Sequence, residues 1–121
     1  MKERILVIED NPQVANSLRY LLKKEGYSVT TCFDGLSALN LMEQEEYDLI
    51  ITDLLIPFVS GLKIIRHIRL KKPLLPVFVI SSVIEDKVIE HIRLLGVQDF
   101  LQKPFNAQTL CSSIKKRLLA A

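Results

Sequence analysis

Three uninterrupted apolar runs, Ile5-Leu6-Val7-Ile8, Leu49-Ile50-Ile51 and Val77-Phe78-Val79-Ile80, constrain this chain more than any other feature. A strand sends successive side chains to opposite faces, so an all-apolar strand must be covered on both sides, as in a parallel sheet sandwiched by helices. Between and beyond these runs the apolar residues fall at helical spacing. Strand-length and helix-period segments therefore alternate from end to end, with no internal repeat and no low-complexity stretch, which is the pattern of βαβ units. Two further runs, Val29-Thr30-Thr31-Cys32 and Phe100-Leu101-Gln102, are shorter or mixed with polar residues and suit the two edges of the sheet.

The helical stretches have legible starts and stops. The first carries Val14, Leu18, Leu21 and Leu22 on one face, has Pro12 near its start where a missing N–H costs little, and is stopped by Gly26. The second covers about Leu36 to Gln44. The third runs from Leu62 through Ile65 and Ile68 until Pro73 forbids continuation. The fourth places Ile84, Val88, Ile92 and Leu95 on one side before Gly96, which can take up the left-handed conformation of a helix end; Leu110, Ile114 and Leu118 stripe the fifth. With strands two and five at the edges and every crossover right-handed, the expected fold is α/β, a flavodoxin-like (βα)5 arrangement. Its five-stranded parallel sheet has order 2-1-3-4-5, with helices on both faces.

At 121 residues the chain is expected to form a single domain over residues 1–121, and its 49% apolar and 25% charged residues suit a soluble fold. Four apolar residues follow Met1-Lys2-Glu3-Arg4 before Glu9 and Asp10, too few for a signal-peptide core or a membrane span, so the expected location is the cytoplasm. Cys32 and Cys111 lack zinc-site spacing and read as small buried apolar residues. The net charge of +2 is concentrated in Lys63 to Lys72 and Lys115 to Arg117. These read as solvated helix faces, since nucleic-acid binding wants a stronger basic footprint.

In open parallel sheets, chemistry sits at the carboxyl ends of the strands near the reversal of strand order, here between strands one and three. Glu9 and Asp10 end strand one, Asp53 ends strand three, Ser81 ends strand four and Lys103 follows strand five. Three crowded carboxylates repel one another and favour protonation unless a cation neutralises them. Magnesium fits that need, because it takes oxygen ligands yet keeps waters that phosphate oxygens can replace. With strands ~4.8 Å apart, only a long side chain such as Lys103 reaches from strand five to strand three, and the Ser81 hydroxyl can donate to a phosphoryl oxygen. Nucleophile, metal, charge clamp and hydrogen-bond donor together are the equipment of phosphoryl transfer. Singly, each of these residues reads as a cap or a turn residue.

On these motifs the chain resembles the receiver domains of bacterial two-component response regulators over essentially its whole length. Ile5 to Asn11 resembles the family's opening strand and acidic pair, and Thr52-Asp53-Leu54-Leu55-Ile56-Pro57, followed by Gly61, its phosphoacceptor loop. Gly96 to Phe105 resembles the last strand and the Lys-Pro turn, a bond usually cis in receivers and expected to be cis here. The resemblance implies that Asp53 takes a phosphoryl group from a phosphohistidine on a sensor histidine kinase or phosphotransfer protein. It further implies that Asp10, Asp53 and the Leu55 carbonyl hold Mg2+, with Glu9 acting directly or through water, and that Lys103 binds the phosphoryl oxygens. Ser81 and Phe100 are the implied switch pair. Phe100 stands where many members have Tyr, so the packing part of the switch remains without a hydroxyl. Leu55 and Val83 occupy positions that flank the path of the hydrolytic water, and both are apolar, so slow hydrolysis of the acyl phosphate is expected.

The face of helix four, strand five and helix five, with Val83 and Ile84 near the switch, is the expected output surface by family analogy, acting on an output domain, a downstream protein or a phosphorylation-dependent dimer. The implied role is that of a phosphoacceptor signalling domain, not an enzyme, with no direct nucleic-acid or membrane binding. The chain stops after its fifth helix and reads either as a stand-alone regulator or, the preferred reading, as the front part of a longer one. A phosphatase using an aspartyl phosphate would want a second acid two residues beyond Asp53, where Leu55 stands; a flavin or nucleotide module would want a phosphate-cradling loop where Asp10-Asn11-Pro12 lies. A phosphorylation-independent pseudo-receiver is the closer rival, but it typically lacks part of the acidic pocket. His67 and His91 read as surface residues.

Overall fold

The computed structural model describes residues 2–82 and 85–119. Five strands, β1 (Arg4–Ile8), β2 (Ser28–Cys32), β3 (Leu49–Thr52), β4 (Val77–Ser81) and β5 (Asp99–Gln102), alternate with five helices. These are α1 (Pro12–Lys24), α2 (Gly35–Gln44), α3 (Gly61–Lys71), α4 (Asp86–Leu94) and α5 (Ala107–Leu119). All strand pairs are parallel and the order is β2-β1-β3-β4-β5, as the hydrophobic pattern predicts. The central strands β3 and β4 are buried throughout, whereas β2 and β5 are partly exposed.

Strand alternation divides the core in two. Leu6, Ile8, Ile50 and Val79 face α2, α3 and α4, where Ala38, Ile64, Ile65, Ile68 and Ile92 meet them. Ile5, Val7, Ile51, Phe78 and Ile80 face α1 and α5 through Leu18, Leu22, Leu110 and Ile114. Each such aliphatic side chain contributes roughly 1.5–3 kcal/mol by leaving water, so truncating one to alanine in this packing costs about 2–5 kcal/mol. The result is a rigid sheet whose carboxyl ends keep their spacing.

Four helix starts carry a side-chain cap: Asn11 accepts from Gln13 and Val14, Asp34 from Ser37, Ser60 from Lys63 and Asn106 from Thr109. Glu85, at the same position of α4, makes no side-chain cap hydrogen bond. Gly26 and Gly96 end α1 and α4 at φ values of +96° and +83°, as their positions in the sequence suggest.

Several expectations need correction. Helix α4 begins at Asp86, so Ile84 precedes it; with Val83, it lies outside the described residues. Among the described residues of the α4 stripe, Ile92 is fully buried and Val88 and Leu95 pack against the core partly buried, as the spacing suggests. Cys32 is buried, but Cys111 is only half-buried, because it faces the seam between α5 and the end of α1. The basic segments are not wholly solvated faces. Arg69 donates from Nε to the Leu95 carbonyl at 2.6 Å and from a terminal nitrogen to Pro73 at 3.0 Å, tying the ends of α3 and α4 together, and Arg117 pairs with Asp99 at 2.9 Å. No helix among the described residues is long and apolar enough to cross a membrane.

Candidate functional site

The carboxyl ends of β1 and β3 bring three of the singled-out residues, Glu9, Asp10 and Asp53, together because adjacent parallel strands end in register. Ile8 pairs with Thr52, so the residues that follow, Glu9 and Asp53, leave the sheet side by side. Asp53 stays attached to β1 through its N–H, which donates to the Ile8 carbonyl at 3.1 Å. Glu9 and Asp53 are buried, at 2% and 6% exposure, while Asp10 is exposed at the mouth. One carboxylate oxygen from each of Glu9, Asp10 and Asp53 falls within a 4.8 Å cluster. That all-oxygen set could hold a hard cation.

Lys103 reaches this cluster from beyond β5. Its Nζ donates to Asp53 Oδ2 at 2.7 Å and to Glu9 Oε2 and Oε1 at 2.9 and 3.1 Å. The lysine backbone is fixed as well, since its N–H donates to the Ser81 carbonyl at 3.0 Å. The Lys103–Pro104 peptide is cis, as the resemblance implies. Burial pushes the Glu9 carboxyl above its ordinary range, although the hydrogen bonds from Lys103 and the Asn11 N–H pull it back part of the way. Burial also pulls the Lys103 ammonium down, but hydrogen bonds to Asp53 and Glu9 outweigh it and leave the group raised. The lysine is thus a fixed positive charge, and the carboxylates around it remain in excess.

Ser81 ends β4 fully buried. Phe100 is half-buried on β5 and packs against the core beneath α2, α3 and α4. The Leu55 N–H donates to Asp53 Oδ1 at 3.0 Å, and its side chain is 61% exposed at the rim. His67 and His91 lie on α3 and α4, away from the strand ends, with His91 Nε2 3.2 Å from the Arg66 guanidinium.

Three features escaped sequence reasoning. The buried Thr52 hydroxyl donates to the Asp53 carbonyl at 2.8 Å; its only signal was a hydroxyl at the end of an otherwise apolar strand. Gly61 lies so close that a Cβ would fall 2.5 Å from that same carbonyl oxygen. The Pro57 carbonyl accepts from both Val59 (2.9 Å) and Gly35 (3.1 Å), which clamps the β3–α3 loop onto the start of α2. That clamp forces a γ-turn with Phe58 at φ +70°, a backbone state costing a bulky residue about 1–2 kcal/mol, and leaves its ring 86% exposed.

A family model described as the response regulator receiver domain matches residues 5–115. Among solved structures, the chain is similar to a CheY-like response regulator receiver domain protein from Methanospirillum hungatei JF-1. The identity is 22%, over 98% of this chain and 94% of that one, with a TM-score of 0.94. It is also similar to the receiver domain of the Francisella response regulator 1452, at 26% identity over 98% of each chain and a TM-score of 0.90. A signal receiver domain of a signal transduction histidine kinase from Syntrophus aciditrophicus matches at 26% identity, over 98% of this chain and 92% of that one, with a TM-score of 0.90.

Proposed function

The chain belongs to the response regulator receiver domain family, and from that membership we propose that Asp53 accepts a phosphoryl group from a phosphohistidine on a sensor histidine kinase or phosphotransfer protein. The family places it in two-component signalling, as a signalling domain and not a conventional enzyme. The observation that carries the proposal is the buried Asp53 carboxylate held 2.7 Å from Lys103 inside an acidic cluster. In the step itself, an Asp53 carboxylate oxygen attacks phosphorus, the P–N bond breaks, and its electron pair stays on the departing imidazole nitrogen.

Asp10, Asp53 and the Leu55 carbonyl would hold Mg2+, with Glu9 acting directly or through water. The donor set is all oxygen, and a bound cation would oppose the upward shift that burial gives the Glu9 carboxyl. Bound there, the ion would neutralise charge on the phosphoryl oxygens. Lys103 would take up a phosphoryl oxygen in exchange for part of its contact with Asp53. A mostly apolar depression of about 450 Å³, lined by Gln13, Val14, Ser17, Pro104 and Phe105, adjoins Lys103 and offers the donor protein a footing beside the site. The signal would pass through Ser81 and Phe100 to the face of α4, β5 and α5, acting in the cytoplasm on an output domain, a downstream protein or a second copy.

Incubation with acetyl phosphate, with and without magnesium, followed by intact mass measurement, tests this. Wild-type protein should gain one phosphoryl adduct that depends on magnesium, and Asp53→Asn should gain none. A wild type that stays unmodified with magnesium would mark a phosphorylation-independent interaction module instead.

A further inference from the structure

Each hydrogen-bonding atom of Asp53 has a partner. Its N–H donates to Ile8, its Oδ1 accepts from the Leu55 N–H, its Oδ2 accepts from Lys103, and its carbonyl accepts from the Thr52 hydroxyl. Two of these partners are backbone groups and one is the charge clamp. Only the fourth is a neutral side chain. Thr52 is fully buried and follows Leu49, Ile50 and Ile51, in a strand that has no other polar side chain. Valine has nearly the same shape and would spare the cost of desolvating a hydroxyl, so packing gives no reason for threonine there. The hydroxyl is therefore to be understood by what it touches.

A second observation converges on the same oxygen. At Gly61 a Cβ would lie 2.5 Å from the Asp53 carbonyl and 2.6 Å from the Leu54 Cα, so glycine keeps the space into which that carbonyl projects. The Gly61 N–H in turn donates to the Leu54 carbonyl at 3.1 Å. Peptide planes are rigid, so fixing the Asp53 carbonyl fixes the plane joining Asp53 to Leu54, and with it the approach to Leu55. Leu55 is tied to the Asp53 carboxylate through its own N–H.

We propose that the Thr52 hydroxyl is a positioning group for phosphoryl acceptance: by holding the Asp53 carbonyl it sets the orientation of the Asp53 carboxylate and of the Leu55 peptide behind it. This rests on Asp53 being the phosphoacceptor. Without the hydroxyl, the carbonyl is a buried acceptor with no partner, and the peptide turns to find one. The cost falls on the groups that must meet a cation and a phosphoryl group in a fixed geometry.

The test compares wild type, Thr52→Val and Thr52→Ser by magnesium titration calorimetry without a phosphodonor and by the initial rate of labelling with acetyl phosphate. Thr52→Val should need roughly ten-fold more magnesium for half-saturation and label roughly ten-fold more slowly. Its thermal midpoint should fall by no more than several degrees, since valine keeps the methyl packing and only one hydrogen bond is lost. Thr52→Ser, which keeps the donor, should restore both readouts to within about two- to three-fold. If Thr52→Val does not fold, Thr52→Ala replaces it. Labelled wild type with a hydroxyl-free variant that matches it in magnesium affinity and rate overturns the role of Thr52 alone, as does a variant that loses only thermal stability. Wild type that binds no magnesium and takes no label overturns the phosphoacceptor reading and this inference together.

Discussion

Leu55 sits at the mouth of the site with its N–H on Asp53 Oδ1 and an apolar side chain 61% exposed, so it offers no hydrogen bond to water approaching an acyl phosphate. Replacing it with asparagine supplies a donor and an acceptor at that place. Leu55→Asn is expected to shorten the lifetime of phosphorylated protein several-fold, less than the roughly 10²-fold of a true general acid or base because asparagine only orients water, as followed by loss of the adduct after removal of the phosphodonor. An unchanged lifetime would show that water is not limited here. The grouping of Glu9, Asp10, Asp53 and Lys103 was legible in the sequence, because these residues come within two positions of the ends of β1, β3 and β5 and the topology does the rest. The attachments of Thr52 and Arg69 were not. Thr52 bonds the carbonyl of its neighbour and Arg69 bonds a carbonyl 26 positions away; carbonyls belong to every residue, so no residue-type pattern marks them as partners.

Among the described residues, α4 is the helix whose start carries no side-chain cap hydrogen bond. Helices α1, α2, α3 and α5 each begin on an asparagine, aspartate or serine whose oxygen takes up a free N–H, whereas Glu85 reaches past that position without capping. Asp86 in the first turn compensates only through charge. Glu85→Asp keeps the charge and shortens the side chain to capping length, so it should raise stability by about 0.5–1 kcal/mol, read as a higher urea midpoint. No change in midpoint would mean that the start of α4 does not unfold from a fixed helical turn. The strands and four of the helices were readable from periodicity and breakers. The start of α4 was not, because Ile84 continues the helical spacing of Val88, Ile92 and Leu95 upstream of Asp86, and spacing alone cannot say where a helix begins.

For the molecule as a whole, edge strand β2 and helix α2 enclose a thiol with a measurable pH signature. Burial pushes Cys32 up to about 11 from an ordinary 9.0, with Asp34 adding to the shift. A raised folded-state value means that this contribution to stability is fully present below the unfolded value and is lost as pH rises through about 11. The loss is on the order of 2 kcal/mol. The stability difference between wild type and Cys32→Ala should therefore be constant up to about pH 9 and shrink above it, by thermal unfolding at a series of pH values. A difference that stays constant to pH 11 would show the thiol to be hydrated. At the opposite end of the sheet from the acidic cluster, Arg69 binds the Leu95 carbonyl and packs against Gly96, pinning the far end of α4. The nine residues of that helix make a rod of roughly 13 Å. Were the helix to swing by about 10° about the end that Arg69 holds, its first turn would move roughly 2 Å sideways while its last turn barely moved. Such a displacement would be graded along the helix, largest near Asp86 and smallest near Leu94.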